Sequence, residues 1–490
     1  MTQTPQTHNE VPPLIVGISG LRGLVDVNFS LDDAGRYTRA IAAWVWQRFE
    51  ASENKDGSCP CVVVSRDGRA NGKPIYERVW STLAACGCEV ILLDVATTPT
   101  TGVMVDYHRA HAGVIITASH NPGEWNGIKC LVSDANGSVS ACAPNAAQAQ
   151  QIIDLFNGAN HMANRDGGSV CNTTESEAVY HPQLVLKHAQ SQENPKKISC
   201  VLDSVNASGW PVARELLAAL HCDAIQTAGD NSGIFPHEPE PTKENLIDLC
   251  AQVRAHNADI GCAQDPDADR LAIIDETGTY IGEEYTLALS ALEVLSSMPK
   301  DEAKNAVLCT NLSTSRMIED VAATFGARVI RTPVGEANVV EAMQQHNAVI
   351  GGEGNGGVIW PRITYVRDSL SAMALVISLM RRTGKTLSQL VASIPSYAIV
   401  KRKQPLMRKA DAQPAIDALA AHWRSQPHVR VDSQDGVRID LKLDDGSDAW
   451  VHVRASNTEP ILRLIAEAGT TAQADQLLDA VGAMIAATSA

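Results

Sequence analysis

Strand-like and helix-like segments alternate along most of this chain of 490 residues. Cys61–Ser65 is a β-branched run followed by an amphipathic segment over Pro74–Ala85. The strand-like Glu89–Asp94 then precedes a helical pattern over Gly102–Ala110. Such alternation predicts βαβ units on mainly parallel sheets, because each helix carries the chain back to start the next parallel strand.

The alternation is interrupted and restarts, which indicates several domains. A polar stretch, Asn157–Ser176, marks the first predicted boundary, and the pattern restarts after it and again after Gly282. From about Ser396 the strands follow one another closely, as in an α+β domain. The predicted fold class is therefore α/β, with three similar mixed α/β domains (14–175, 176–282, 283–395) and a C-terminal α+β domain (396–490) after a flexible tail (1–13).

Charge and composition limit the partners. The formal net charge of −16 argues against nucleic acid or an anionic membrane as the main partner. The N-terminus lacks the basic and apolar regions of a secretory signal, and the longest apolar segment, near Ser371–Met380, is shorter than the roughly 20 residues of a membrane span. Twelve cysteines without framework spacing are typical of free thiols in a reducing cytoplasm.

The loop T-A-S-H-N-P follows the apolar run Gly113–Ile116 and offers a nucleophile. Ser119 lies where the carboxyl edge of a sheet is predicted, which is where α/β proteins gather their ligands. A serine hydroxyl needs a base or a neighbouring charge for activation, and His120 and Lys129 are the candidates. The G-x-S-x-G pattern of α/β-hydrolases is absent here.

The loop D-P-D-A-D-R, residues 265–270, predicts a metal site. The carboxylates of Asp265, Asp267 and Asp269 alternate along it and can converge on a hard cation such as Mg²⁺, with Arg270 beside them to neutralise phosphate or orient an aspartate. An EF-hand is the alternative, because Glu276 stands at the twelfth position. Arg270 at the sixth position, where that loop requires glycine, argues against it.

Two further loops carry polar groups that suit a sugar phosphate. G-E-G-N-G-G, residues 352–357, matches the dinucleotide pattern but is followed by V-I-W-P, which cannot open a helix. R-A-S-N-T-E-P, residues 454–460, supplies Arg454, Ser456, Asn457 and Thr458 as donors fit for a phosphate.

The four loops, in this order, resemble those of the α-D-phosphohexomutase superfamily, from about Val16 to the C-terminus. Two supporting loops also resemble that family: one contains Arg22, and the other contains Arg66 and Arg69, for which ion-pair roles are an equal alternative. The resemblance implies four domains around a central cleft, and a mobile final domain.

The resemblance also implies a mechanism. A phosphorylated Ser119, a ligand of Mg²⁺ together with the three aspartates, donates its phosphoryl group to a hexose monophosphate. The bound hexose 1,6-bisphosphate turns over, and return transfer yields the isomer. Glu353 contacts two sugar hydroxyls, with Asn355 where the family commonly has serine, and the second phosphate binds at Arg454–Thr458. Sugar phosphates are the expected partners, in the cytoplasm, for a monomer or a homodimer.

The sugar and two other function classes stay open. Gly335 and Glu336 lie in a loop that carries histidine in the dual phosphomannomutase/phosphoglucomutase branch and an acidic residue in phosphoglucosamine mutases. A carboxylate there favours a cationic 2-ammonium group, so glucosamine phosphate is predicted before glucose or mannose phosphate. A serine phosphatase would not need the second phosphate loop, and a silent sugar-phosphate sensor would be expected to lose Ser119 or an aspartate.

Overall fold

The computed structural model describes residues 12–52, 59–134, 140–158, 162–189, 196–456 and 460–488. They form two compact units: one holds the residues up to 283 together with 357–387, and the other holds 284–356 and the residues from 388 onwards. The chain therefore leaves the first unit after 283, returns to it at 357, and leaves it again after 387.

The elements up to residue 283 are β1 (Ile15–Gly17), β2 (Gly20–Leu24), α1 (Leu31–Ala51), β3 (Cys61–Arg66), α2 (Gly72–Ala85), β4 (Glu89–Val95), α3 (Thr98–Tyr107), β5 (Ala112–Ile116), β6 (Trp125–Val132), α4 (Ala146–Asn157), β7 (Ser169–Asn172), α5 (Glu175–Ala178), α6 (Tyr180–His188), β8 (Ile198–Asp203), α7 (Gly209–Ala219), β9 (Cys222–Ala228), α8 (Ile247–His256), β10 (Ile260–Gln264) and β11 (Leu271–Asp275).

The elements from residue 283 onwards are α9 (Glu283–Ser297), α10 (Lys300–Asn305), β12 (Val307–Asn311), α11 (Met317–Phe325), β13 (Arg328–Thr332), α12 (Glu336–His346), β14 (Ile350–Glu353), β15 (Gly357–Ile359), α13 (Ser369–Thr383), α14 (Leu387–Val391), β16 (Ala398–Pro405), a 3-10 turn (Lys409–Asp411), α15 (Ala412–Arg424), β17 (Arg430–Asp432), β18 (Val437–Lys442), β19 (Asp448–Ala455), β20 (Ile461–Ala468) and α16 (Thr471–Thr488).

The largest sheet of the first unit has the strand order β1-β2-β6-β5-β3-β4-β7. Strands β5, β3, β4 and β7 run parallel, whereas β6 lies antiparallel to both β5 and β2. The sheet is thus mixed rather than mainly parallel. This matters for the site, because the return strand β6 pairs Lys129 with Ile115 of β5, so the loop after β5 and Lys129 meet at one edge.

The structure adds a strand and moves a helix start in the first unit. The polar stretch Asn157–Ser176 contains β7, which pairs with β4 at the edge of the sheet and was not predicted. The helix predicted over Gly102–Ala110 begins at Thr98, because the Thr97 hydroxyl accepts the Thr100 N–H and Pro99 occupies the first turn. Polar and proline residues at these positions obscured both elements.

The second sheet of the first unit, in the order β11-β10-β8-β9, explains the position of the aspartate loop. β10 and β11 are antiparallel neighbours, so residues 265–270 form the connection of a buried strand pair. No helix flanks the loop on either side, which excludes the EF-hand frame. The helix predicted from Lys243 begins only at Ile247, after the turn at Thr242–Asn245.

In the second unit, β12 pairs in parallel with β13 and β14, and a five-stranded antiparallel sheet follows in the order β16-β20-β19-β18-β17. Helices α15 and α16 cover that sheet and bury an aliphatic core that includes Val451, Leu464 and Val481. This is the predicted C-terminal α+β arrangement. It belongs to the same compact unit as the strands from β12 to β14.

The twelve cysteines are all free thiols, and most of them are buried, as the sequence predicts. Within the described ranges, every helix is too short or too polar to cross a lipid bilayer.

Candidate active site

Ser119 follows β5 in a strained and enclosed turn. Its φ of 53° lies in the left-handed region, and only 2% of the residue is exposed. The Thr117 hydroxyl accepts the Ser119 N–H at 2.8 Å, and the Ser119 hydroxyl donates to Asp265 Oδ2 at 3.1 Å. A non-glycine residue in this region costs on the order of 1–3 kcal/mol and is retained where the surroundings enforce it. The serine is therefore held by its neighbours for a specific contact.

Arg69 supplies much of that enforcement. Its side chain is fully buried and pairs with Asp67 at 2.8 Å. The same guanidinium donates to the carbonyl groups of Ser119, Asn121 and Pro122. Arg69 thus holds the backbone of the serine loop through these hydrogen bonds. Arg66 forms a separate ion pair with Asp94 at 2.6 Å. Both arginines form ion pairs, so the structural alternative considered for them is the better description.

The three aspartates converge as predicted. One oxygen from each of Asp265, Asp267 and Asp269 lies within 4.8 Å of the others, and all three residues are buried. Asp267 Oδ1 and Asp269 Oδ1 are buried and have no hydrogen-bond partner among the described residues. Buried carboxylate oxygens without partners are costly, and oxygen ligands are what a hard divalent cation prefers. The residues present fit such a cation.

Cationic and hydroxyl groups hold the other carboxylate oxygens. Lys129 Nζ lies 2.5 Å from Asp267 Oδ2 and 3.4 Å from Asp269 Oδ2. The Thr98 hydroxyl donates to Asp267 at 2.7 Å, and Arg367 pairs with Asp269 at 2.6 Å. On Asp267 and Asp269 one oxygen is therefore occupied by protein groups, whereas Oδ1 accepts no hydrogen bond, although Arg270 Nε lies 3.8 Å from Asp269 Oδ1.

Burial and charge separate the pKa values of the three carboxyl groups. Burial, with the charges of Asp269 and Asp267, raises the pKa of Asp265 well above its usual range. Burial also acts against ionisation of Asp267, but the Lys129 ammonium outweighs it and lowers that pKa. The pKa of Lys129 is raised, since the two carboxylates outweigh the effect of its burial. Lys129 therefore remains a cation and balances charge.

The remaining residues predicted for this part of the site lie around the same centre. Burial, reinforced by the charges of Arg270 and Arg22, lowers the pKa of His120 to about 3, so its imidazole is neutral near pH 7. The Arg270 N–H donates to Asp265 Oδ1 at 3.2 Å. Burial lowers the pKa of Arg22, against the charges of Asp267 and Asp269.

Three residues of this centre were missed from the sequence. Arg367 precedes α13, and the adjacent Asp368 caps that helix and contacts the buried His181 at 3.1 Å. Glu240 Oε1 lies 3.8 Å from His120 Nε2 and 3.9 Å from Arg270 Nη1. None of them lies in a sequence motif typical of metal or phosphate binding, so only the folded structure shows which groups they contact.

Glu353 ends β14 in the second unit and is nearly buried. The Asn311 side-chain amide donates to Glu353 Oε1 at 2.8 Å, and the Gly354 N–H donates to the Thr314 hydroxyl at 3.1 Å. A Cβ atom on Gly354 would lie 2.0 Å from a carboxylate oxygen of Glu284, so a larger residue there would have to displace the Glu284 side chain. The loop leads from a strand into a strand, which excludes the dinucleotide fold. Asn355 lies in the same loop and is half-buried.

Gly335 and Glu336 mark the start of α12. Gly335 has a φ of 127°, which favours glycine, and Glu336 opens the first turn, where the helix dipole favours a carboxylate. Glu336 is half-buried. The structure therefore places the loop suspected of sugar selection directly at a helix N-terminus.

Arg454 lies at the end of β19, with Nε 3.6 Å from Asp435 Oδ2. It borders a cavity of about 300 Å³ that Val334, Asn338 and Asp435 also line. Ser456 is buried, and its N–H donates to Ile461 O at 3.0 Å. Asn457 and Thr458 lie outside the described residues.

The predicted residues thus form two groups, one in each unit. The first unit brings together Ser119, His120, Lys129, Arg22, Arg270 and the three aspartates, a serine hydroxyl inside a cluster of carboxylates and cations. The second unit holds Glu353 and Arg454 at the ends of strands β14 and β19, and Gly335 and Glu336 at the start of α12. The first arrangement suits phosphoryl transfer, and the second suits recognition of hydroxyl and anionic groups.

Fold and site define an α/β protein with a buried serine–carboxylate centre. The chain matches four domains of Phosphoglucomutase/phosphomannomutase: alpha/beta/alpha domains I, II and III over residues 13–156, 178–278 and 283–397, and the C-terminal domain over 400–483. It belongs to this family, within the α-D-phosphohexomutases, and is an isomerase of that class.

Relatives cover nearly the whole chain. A Thermococcus kodakarensis protein named "Phosphoglucomutase/phosphomannomutase" is 35% identical over 471 residues, 95% of this chain and 97% of its own length. A Methanopyrus kandleri protein named "Probable phosphoglucosamine mutase" is 34% identical over 464 residues, 94% of this chain and 96% of its own. A Burkholderia thailandensis family structure has a TM-score of 0.78 at 23% identity and covers 96% of both chains, which shows a shared fold.

Proposed function

We propose that this phosphohexomutase interconverts hexose 6-phosphate and hexose 1-phosphate through a phosphoryl group carried on Ser119. The observation that carries the proposal is the buried Ser119 hydroxyl, 3.1 Å from Asp265 within the aspartate cluster. In the first transfer the phosphoryl group leaves Ser119 Oγ for a sugar hydroxyl, which gives up its proton as the serine hydroxyl is regained. The reverse transfer takes the other phosphate and restores the phosphoserine.

Asp265, Asp267 and Asp269 would hold Mg²⁺, with a phosphate oxygen on Ser119 as a further ligand. When bound, the ion would stabilise negative charge on the transferring group. The available oxygens Asp267 Oδ1 and Asp269 Oδ1 support this assignment.

The cationic side chains supply positioning and charge balance. Lys129 stays protonated beside Asp267, so its role is to neutralise charge rather than to remove a proton. His120 is neutral near pH 7 because burial lowers its pKa to about 3, so its imidazole can form hydrogen bonds in the site without adding positive charge. Arg22 and Arg270 add charge for a loose transition state, which depends mainly on electrostatics.

The second group of residues is proposed to hold the part of the substrate that does not react. Glu353 would accept hydrogen bonds from two sugar hydroxyls, with Asn355 beside it. Arg454 and Ser456, together with Asn457 and Thr458, would bind the other phosphate. A bound hexose 1,6-bisphosphate must exchange its two ends between transfers, so these contacts must serve both orientations.

We propose glucosamine phosphate as the sugar, with glucose or mannose phosphate as the second candidate. A carboxylate at Glu336 favours a 2-ammonium group over a neutral hydroxyl. The name of the Methanopyrus kandleri relative supports the first sugar, and that of the Thermococcus kodakarensis relative supports the second. We further propose that the reaction takes place in the cytoplasm, in a monomer or a homodimer.

A coupled assay with and without added hexose 1,6-bisphosphate tests the reaction. Isomer formation without release of inorganic phosphate is expected. Phosphate release in place of isomer formation would identify a phosphatase, and no turnover of any hexose phosphate would identify a sensor. Intact-mass measurement of the purified protein should show an added phosphoryl group on part of the material.

A substrate panel tests the sugar. Glucosamine, glucose, mannose and N-acetylglucosamine phosphates are compared by kcat/KM in the wild type, in Glu336→Gln, and in Glu341→Gln as a control on the exposed face of α12. Glu336→Gln should lower activity on glucosamine phosphate selectively, and Glu341→Gln should not. An equal loss on all sugars would contradict the role of charge.

A further inference from the structure

Asp435 lies in the tight turn between β17 and β18, at a place where three segments of the second unit meet. Gly436 follows it with a φ of 66°, and a Cβ atom there would lie 2.2 Å from the Val453 carbonyl oxygen. The turn therefore packs directly on β19, just before Arg454. This close approach fixes where the Asp435 side chain can reach.

The Asp435 carboxylate joins two loops that are distant in sequence. Its Oδ2 accepts the Val334 N–H at 3.1 Å and lies 3.6 Å from Arg454 Nε. Val334 immediately precedes Gly335 and Glu336. A single carboxylate oxygen thus contacts both the loop that begins α12 and the arginine at the end of β19.

The backbone of Asp435 is held as firmly as its side chain. Its carbonyl accepts a hydrogen bond from His452 Nε2 at 2.7 Å, and His452 Nδ1 contacts the Ser313 hydroxyl at 2.8 Å. His452 is completely buried. The carboxylate is therefore presented by a rigid support rather than by a mobile turn.

The Arg454 contact is an ion pair and not a hydrogen bond. Arg454 Nε is buried and has no hydrogen-bond partner among the described residues, although Asp435 lies close to it. Both side chains border the cavity of about 300 Å³. Asp435 thus orients the guanidinium while leaving this N–H group for another acceptor.

We propose that Asp435 is a positioning residue that sets the Val334–Glu336 loop and the Arg454 guanidinium in a fixed mutual position, so that one sugar phosphate meets both. The inference rests on the proposed binding of phosphate at Arg454. The carboxylate has two opposing effects there. Its negative charge weakens the attraction of Arg454 for any anion, and its hydrogen bond to Val334 holds the loop that precedes Glu336.

The two effects predict different results for two ligands. Inorganic phosphate uses only the arginine side, so loss of the negative charge should strengthen its binding. A hexose phosphate uses both loops, and a misplaced loop should lower the rate of the chemical step, because small errors in position are costly in catalysis. A residue with a purely structural role would weaken both ligands together.

The experiment compares Asp435→Asn with Asp435→Ala in the full-length enzyme. Inhibition by inorganic phosphate gives its affinity, and steady-state turnover of hexose 1-phosphate gives kcat and KM. The asparagine variant keeps an oxygen that can accept the Val334 N–H but loses the charge. The alanine variant loses both. Asp417→Asn is the matched control, since Asp417 is an exposed carboxylate of α15 that contacts Gln413.

Both variants should bind inorganic phosphate about threefold or more tightly than the wild type, because one negative charge beside the site is gone. Asp435→Asn should keep kcat within about threefold of the wild type, whereas Asp435→Ala should lose about tenfold or more. Asp417→Asn should change neither quantity. Recovery of kcat by asparagine is the signature of the hydrogen bond to Val334.

Unchanged phosphate affinity in both Asp435 variants, or equal values of kcat in the two, would overturn the inference. Arg454→Ala separates this failure from that of the proposed function. If Arg454→Ala leaves phosphate inhibition unaltered, phosphate does not bind there and the proposed function of that loop is wrong. If Arg454→Ala abolishes inhibition while the Asp435 variants match the wild type, only the inference fails. Should the alanine variant not fold, the asparagine variant still decides the charge effect.

Discussion

The residues around Ser119 and those around Arg454 are held in contrasting ways. Around Ser119, buried aspartates form a network of ion pairs with Lys129, Arg367 and Arg69. Around Arg454, loops are joined through backbone groups, and the ion pair to Asp435 is 3.6 Å long with both side chains partly exposed. The ion pairs around Ser119 hold the carboxylate and cationic side chains in place. Around Arg454, the Nε–H group has no hydrogen-bond partner among the described residues and can donate to a ligand.

The difference corresponds to the two tasks of the proposed reaction. Phosphoryl transfer needs charges placed in advance, because their reorganisation during the reaction would raise the barrier. Recognition of the non-reacting end must serve two orientations of one intermediate. Dense ion pairing would hinder that exchange, so we expect perturbations in the two regions to differ in kind as well as in size.

The largest expected effect is the loss of the nucleophile. Ser119→Ala should lower mutase activity by at least about a thousandfold, since the residues of a nucleophilic site act as a unit. The added phosphoryl mass should disappear in the same variant. Ser81→Ala is a suitable control, because that hydroxyl bonds only to its own helix. Turnover close to wild type in Ser119→Ala would end the phosphoserine mechanism.

Arg69→Met tests whether the buried ion pairs around Ser119 contribute more to stability than exposed ones do. The change leaves Asp67 without its buried partner and removes donors to several carbonyl groups. The free energy of unfolding in urea should fall by about 3–5 kcal/mol. Arg66→Met breaks a more exposed pair with Asp94 and should cost less than about 1 kcal/mol. Equal losses for the two variants would contradict the distinction.

His452→Gln tests the support beneath Asp435 through its pH dependence. Burial lowers the pKa of His452 from 6.5 to about 4. Between these values the unfolded chain binds a proton that the folded histidine does not, so the free energy of unfolding decreases as the pH falls. The decrease is about 3–4 kcal/mol at most, at about 1.4 kcal/mol per pKa unit. Unfolding of the glutamine variant should depend less on pH, whereas His428→Gln, an exposed histidine, should behave like the wild type.

Arg454→Ala should affect recognition rather than the metal site. Loss of a charge-assisted contact costs about 1.5–3 kcal/mol, or about ten- to over a hundredfold in kcat/KM. Magnesium affinity, measured by calorimetry, should not change. Arg463 is an exposed arginine that stands opposite Arg454 in the register of β19 and β20. Arg463→Ala is the control and should leave kcat/KM unaltered. A normal kcat/KM in Arg454→Ala would place the phosphate elsewhere.

Much of the fold could be predicted because its signals are local. The strand-like runs before Ser119, Asp265 and Glu353 correspond to β5, β10 and β14. Elements without an apolar run were missed: β7 lies in a polar stretch and becomes a strand only because β4 offers it an edge. The start of α3 was misplaced for a similar reason, since the Thr97 cap decides it.

The candidate site divides in the same manner. Ser119 could be named as a candidate nucleophile and the three aspartates as candidate metal ligands, because those roles require particular side chains at particular spacings. Arg367, Glu240 and Asp435 were not, because single charged residues in loops look alike until the fold brings them to a partner. Arg66 and Arg69 were undecided for the same reason, and their distances to Asp94 and Asp67 in the folded chain show that both form ion pairs.

The sequence by itself thus determined the α/β fold class, the four candidate loops and the family, all of which depend on short-range pattern and residue type. The tertiary structure alone decided which charges meet: Lys129 with Asp267, Arg367 with Asp269, and Asp435 with both Val334 and Arg454. The physical reason is that electrostatic and hydrogen-bond energies depend on distances of a few ångströms between groups far apart in the chain. Those distances exist only after the strands have paired and packed.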